Sequence, residues 1–202
     1  MGGACCSGNK DEHEQKFPPG EGKSRDQQLT EYPEFSQSVL MIEPAQDDLL
    51  TKEWHSFREQ LISSGIEVES FKQTHGLPES ALKPDWFTTV QCMEVPLGAY
   101  IIYPMQELDR QEERENQEVL KFLSSRYKHK IDLSHFESRG LALEGKAACV
   151  FDIRNRKIYA SLSNHCSPFV LNALVDQLNE ISATACWKAV TFSSFEEDGA
   201  RI

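Results

Sequence analysis

The chain has 202 residues, 39% of them hydrophobic, and a formal net charge of −11. That length supports one sizeable core, and the acidic balance excludes nucleic acid, whose phosphates such a surface repels. There is no apolar run of about 18 residues that could span a bilayer, and no apolar stretch follows the N-terminus as a secretory signal would.

The N-terminus reads Met1-Gly2-Gly3-Ala4-Cys5-Cys6. Removal of Met1 leaves Gly2 as an unhindered α-amine for myristoyl transfer, and Cys5 and Cys6 follow as candidates for S-palmitoylation. The myristoylation pattern carries Ser or Thr at the sixth position, where Cys6 is similar in size. One myristoyl chain binds a bilayer with a constant on the order of 10⁴ M⁻¹, so stable attachment needs a second signal. Residues 1–30 contain four Lys/Arg and five Asp/Glu, so no polybasic patch supplies it, and palmitate is the remaining candidate. The expected location is the cytoplasmic face of a membrane, the plasma membrane being one candidate. Residues 1–36 then form a lipidated tether, polar and rich in Gly, Pro and Gln, ahead of a domain over 37–202.

The domain opens with a strand over 38–43. A helix from Asp48 follows, with Leu50, Trp54, Phe57, Leu61 and Ile62 at helical spacing and Gly65 as its stop. The stretch 66–71 reads as another strand. Two strands come next, over 86–90 and 98–103. A charged helix over 109–127 carries its apolar stripe on Val119, Leu120, Phe122 and Leu123, and a short strand over 130–133 closes the unit. The charged run 107–118 reads as a solvated helix face. The order strand, strand, helix, strand then recurs. Strands over 148–152 and 157–162 flank a turn at Arg154-Asn155-Arg156. Ser167 and Pro168 start a helix that runs to Ile181, and a strand over 188–192 ends the unit. Tyr103 and Leu162 end comparable strands 59 residues apart, a period that implies like units set side by side.

Cys92, Cys149, Cys166 and Cys186 are scattered, with no C-x-x-C spacing, and read with Cys5 and Cys6 as free thiols rather than a disulfide framework or zinc site. No metal or cofactor is expected. Cys149, in an apolar strand, reads as a core thiol. His165 and Cys166 are neighbours whose side chains should diverge. His129 and His135 read as surface residues.

Several stretches together resemble one family. They are 79–89 (Glu-Ser-Ala-Leu-Lys-Pro-Asp-Trp-Phe-Thr-Thr), Tyr103-Pro104-Met105, Asp109-Arg110 with Glu112-Glu113-Arg114, and Asp132-Leu133-Ser134-x-Phe136-Glu137. Leu143-Glu144-Gly145 and 157–163 complete the set. They are similar to the amidinotransferase-like, arginine-deiminase-related proteins of the guanidino-modifying superfamily. That resemblance implies the pentein fold, an α/β propeller of five ββαβ units. About two and a half to three of those units would be present here. It also implies chemistry in which a cysteine thiolate attacks a guanidinium carbon, a histidine moves the proton, and carboxylates hold the flat cation. Asp85 and Glu144 fall on the guanidinium-binding positions.

The departures are as informative. Glu144-Gly145-Lys146-Ala147-Ala148 stands where the family has Glu-Gly-Thr-Gly-Ser, which sets a lysine beside a cationic ligand. Ser161-Leu162-Ser163-Asn164-His165-Cys166 stands where it has Cys-Leu-Ser-Pro-Arg-Thr. The family's histidine and cysteine motifs fall beyond Ile202. The expectation is therefore a membrane-tethered, non-catalytic relative acting as a binding or interaction module. The alternative is a fragment or short form of an arginine deiminase or amidinotransferase type enzyme. Expected partners are the membrane surface through acyl chains, an arginine-like small molecule, and a second copy or another protein at an open edge.

Overall fold

The structure, a computed structural model, describes residues 38–44, 48–73, 85–184 and 186–193. Gly2, Cys5 and Cys6, the stretch 74–84 and the stretch 198–202 lie outside the described residues. Among the described residues no helix is long and apolar enough to cross a membrane.

The described chain builds three small sheets in sequence. β1 (Ser38–Glu43) and β2 (Glu67–Lys72) pair in parallel across the crossover helix α1 (Asp48–Ser63). β3 (Phe87–Cys92) and β4 (Val95–Ile102) form an antiparallel hairpin, and β5 (His129–Asp132) joins β4 in parallel. β6 (Cys149–Asp152), β7 (Lys157–Ser161) and β8 (Lys188–Phe192) repeat that topology. The second and third units are thus complete ββαβ motifs, as the sequence period implies. The chain forms a mixed α/β fold, and the first described unit contributes two strands.

The second unit departs from expectation between its strands. The helix expected over 109–127 is broken into α2 (Leu108–Glu112), a 3₁₀ turn (Glu113–Glu115) and α3 (Gln117–Arg126). Asn116 causes the break. Its backbone is extended, its side-chain oxygen accepts from the Val119 N–H, and its amide nitrogen donates to the Lys72 carbonyl at 3.0 Å. An Asn that satisfies an orphan N–H is a strong helix start. The charged run is a solvated face only in part: Glu107, Asp109, Glu112, Glu115 and Glu118 are exposed, whereas Arg110, Glu113 and Asn116 are buried. In the third unit, α5 (Pro168–Ile181) begins with Pro168 after Ser167 as expected. The Ser167 side chain makes no cap bond, and its backbone N–H donates to the Ala142 carbonyl at 2.8 Å.

The core runs through the second and third units, on Ile101, Tyr103, Leu123, Ile131, Leu133, Ile158, Leu171 and Leu174. α1 meets expectation only in part. Trp54 is buried, whereas Phe57 and Ile62 remain 54% and 42% exposed.

The units are joined by one repeated contact. The helix of the second unit lies on the sheet of the first, with Phe122 of α3 against Phe71 of β2 at 5.4 Å. The helix of the third unit, α5, packs in turn against β5 of the second.

Candidate functional site

The two carboxylates singled out in the sequence come from different units, and Gly145 brings their segments together. Glu144 directly precedes the short helix α4 (Gly145–Ala148) and has no helical hydrogen bond for its side chain. Gly145 has φ +39, and a Cβ there would stand 2.1 Å from the Asp85 carbonyl oxygen and 3.0 Å from the Tyr103 ring. Only glycine allows so close an approach. The Asp85 backbone, the buried Tyr103 ring and the Glu144-Gly145 turn therefore meet at one place.

The floor is the segment that leaves β4. Tyr103 is fully buried and its N–H donates to the Trp86 carbonyl at 2.9 Å. The Met105 N–H donates to Glu137 Oε1 at 2.7 Å, and the Leu143 N–H donates to the Pro104 carbonyl at 3.0 Å. Arg114 binds the same place from below. Its Nη2 donates to Glu137 Oε2 at 2.8 Å and its Nη1 to the Tyr103 carbonyl at 3.1 Å. A forked guanidinium on a carboxylate fixes direction as well as distance.

Each candidate carboxylate has neighbours within the chain. Glu144 Oε1 accepts from the Gln106 N–H at 3.1 Å, and its Oε2 lies 3.0 Å from His165 Nδ1. The Glu144 N–H donates to the His165 carbonyl at 3.0 Å, which ties the two residues a second time. Asp85 Oδ2 lies 3.7 Å from Nη2 of the buried Arg110, so a guanidinium already stands beside it. Arg110 Nε lies 3.5 Å from Glu113 Oε1. Lys146, on the altered motif, lines a cavity of about 320 Å³ together with Leu40, Glu69, Thr88, Phe122 and Arg126.

The thiols are placed otherwise. His165 and Cys166 diverge, as their adjacency implies. The imidazole is half exposed on Glu144, and Cys166 is fully buried. Burial pushes the Cys166 thiol up, and it pushes Cys149 up to about 12, with the neighbouring Cys166 adding to the effect. A thiol so raised carries almost no thiolate at neutral pH. Among the described residues no group of three or more His, Cys, Asp or Glu could hold a metal ion.

Gln106, Arg110, Arg114, Glu137 and the Glu144–His165 pair were not singled out as site residues from the sequence. A signal was present, since Arg110, Arg114 and Glu137 all lie in stretches that carry the family resemblance. Charge alone pointed the wrong way, because a run of alternating signs looks the same on a solvated face and in a buried ion-pair network.

The model of the eukaryotic N,N dimethylarginine dimethylhydrolase family matches residues 25–202. No curated protein sequence matches the chain. Among solved structures, one similar fold is the N-terminal domain of ArgZ, an arginine dihydrolase from the ornithine-ammonia cycle in cyanobacteria, in complex with substrate. It shares 14% identity at a TM-score of 0.58, over 81% of this chain and 60% of that one. Another is dimethylarginine dimethylaminohydrolase as an adduct with S-methyl-L-thiocitrulline, at 12% identity and a TM-score of 0.56, over 81% of this chain and 63% of that one. The chain thus spans about three fifths of the length of these relatives.

Proposed function

This chain belongs to the eukaryotic N,N dimethylarginine dimethylhydrolase family, and on that premise we propose that it is a membrane-tethered module that binds a guanidino ligand at Asp85 and Glu144 without turning it over. On this reading the repeated units are neighbours in a five-unit pentein ring, and the acyl groups on Gly2 and on Cys5 or Cys6 hold the module at the cytoplasmic face of a membrane.

The observation that carries the proposal is the arrangement around Glu144. The Gln106 N–H and the His165 ring hold its two oxygens in place. A carboxylate fixed in this way keeps lone pairs for a flat cation. Covalent attack on the guanidinium carbon asks for something more, a thiolate. The thiols closest to Glu144 in sequence, Cys149 and Cys166, are buried with raised pKa values.

The test is incubation of the purified protein with arginine and N,N-dimethylarginine, followed by measurement of citrulline, ornithine and dimethylamine. No product is expected. Turnover that disappears in Glu144→Gln would overturn the non-catalytic reading. The tether is tested separately, since Gly2→Ala should move the protein from membranes to the soluble fraction.

A second reading is hydrolysis or amidino transfer by the whole protein. The Glu144–His165 pair favours it, because a carboxylate that orients an imidazole is the arrangement a proton shuttle uses. The same product assay separates the two readings.

A further inference from the structure

The hydrogen bond from Gln106 to Glu144 is the end of a longer chain of contacts. Residues 103–106 leave the end of β4 as a strap outside every sheet, so no ladder fixes their backbone. Yet each backbone donor and acceptor from the Tyr103 N–H to the Gln106 N–H has a partner, as buried backbone demands. The Tyr103 N–H donates to the Trp86 carbonyl, and the Pro104 carbonyl accepts from the Leu143 N–H. Side chains hold the rest. The Tyr103 carbonyl accepts from Arg114 Nη1 at 3.1 Å, and the Met105 N–H donates to Glu137 Oε1 at 2.7 Å. The Met105 carbonyl accepts from Gln111 Nε2 at 2.9 Å, and the Gln106 N–H donates to Glu144 Oε1 at 3.1 Å.

Arg114 ties both flanks of Pro104. Its fork sits on Glu137, in the 3₁₀ turn Ser134–Arg139, while Nη1 also reaches the Tyr103 carbonyl. Glu137 in turn accepts from Met105. The proline between these two anchors has its φ fixed by its ring, so one guanidinium sets the course of the strap on either side.

Gln111, on α2, then sets the next peptide plane. The carbonyl and N–H of a trans peptide lie in one plane and point to opposite sides. Gln111 holds the carbonyl edge of the Met105–Gln106 peptide, and Glu144 receives the N–H edge. Turning that plane would break both bonds together.

We infer that Gln111 and Arg114 are positioning residues of the site. Through the strap they aim the Gln106 N–H at Glu144 Oε1 and so fix the plane in which the carboxylate meets a flat guanidinium. The inference rests on the reading that Glu144 binds the ligand, and it adds the residues that set the angle of approach.

Two measurements on the full chain test it. The first needs no ligand: hydrogen exchange of the Gln106 amide, followed by NMR. Gln111→Leu, Arg114→Lys and Glu144→Ala should each speed exchange at Gln106 and leave the amide of the buried Leu174, in α5, unchanged. Lysine keeps a cation on Glu137 but cannot reproduce the fork, so Arg114→Lys separates aim from charge. The second is arginine affinity by calorimetry. Gln111→Leu should weaken binding about fivefold, the worth of one hydrogen bond. Added to Glu144→Ala it should cost almost nothing further, because residues that act through one another are not additive. Unchanged exchange at Gln106, or faster exchange at Leu174 to the same degree, would overturn the inference. So would a full fivefold loss on top of Glu144→Ala. A wild type that binds no arginine while Gln106 responds as expected would overturn the ligand reading alone and leave the positioning of Glu144 supported.

Discussion

Gly145→Ala is the sharpest perturbation the site offers. The new Cβ would stand 2.1 Å from the Asp85 carbonyl oxygen, where ordinary contact begins at 3.4 Å, and it would also press on the buried Tyr103 ring at 3.0 Å. The obstacle is backbone on one side and a core ring on the other, and neither can swing away as a surface side chain could. Overpacking of this kind costs about 1–3 kcal/mol. The left-handed backbone, φ +39 at Gly145, adds about 1–2 kcal/mol for any residue with a Cβ. The sum is on the order of 3–4 kcal/mol, and the segments carrying Asp85 and Glu144 are pushed apart. Gly140→Ala is the control, since Gly140 has φ +66 but nothing within 4 Å of its added Cβ. It should lose only the backbone part, about 1–2 kcal/mol. Urea denaturation of both variants reads the difference directly, and arginine titration reads the damage to the site. If Gly145→Ala were no less stable than Gly140→Ala, the close approach at Asp85 would not exist.

Three further outcomes follow from the same geometry. Arg114→Met removes the cation from Glu137 and a donor from the Tyr103 carbonyl. The loss should be about 3 kcal/mol by denaturation, because it leaves a largely buried carboxylate uncompensated, and a loss under about 1 kcal/mol would refute that role. Glu94 is held below its ordinary value of 4.5, chiefly by its hydrogen bond from Arg156. A lowered carboxylate pKa stabilises the fold above pH 4.5 and loses that contribution as pH falls through the folded-state value. Glu94→Gln should therefore destabilise at pH 7 and much less at pH 3, and an equal loss at both would contradict this. In a Cys5→Ser, Cys6→Ser background, the partly exposed Cys186 should react first with a disulfide reagent at pH 8. Cys92, Cys149 and Cys166, all raised by burial, should lag until the protein is denatured.

The repeating units were legible because a strand–strand–helix–strand order declares itself through two periodicities, and 38–43 and 188–192 were read to the residue. The helix expected over 109–127 failed at Asn116. Its hydrogen bond to the Lys72 carbonyl comes from another unit, and no local propensity reports it. For the same reason Arg110 and Glu113 looked solvated, since their burial is decided by what packs over them. Phe57 was read as core because helical spacing identifies an apolar face without saying whether anything covers it. Asp85 and Glu144 were found only through the family resemblance. Their meeting depends on Gly145, whose role is visible only once the Asp85 carbonyl is in place.

The most direct measurement is calorimetric titration of arginine into the wild-type protein and into Glu144→Gln, with citrulline assayed in the same cell afterwards. The account predicts saturable binding to the wild type, binding at least tenfold weaker in the variant, and no citrulline in either. Equal binding by both proteins would contradict the role assigned to Glu144, and citrulline in the wild-type cell would contradict binding without turnover.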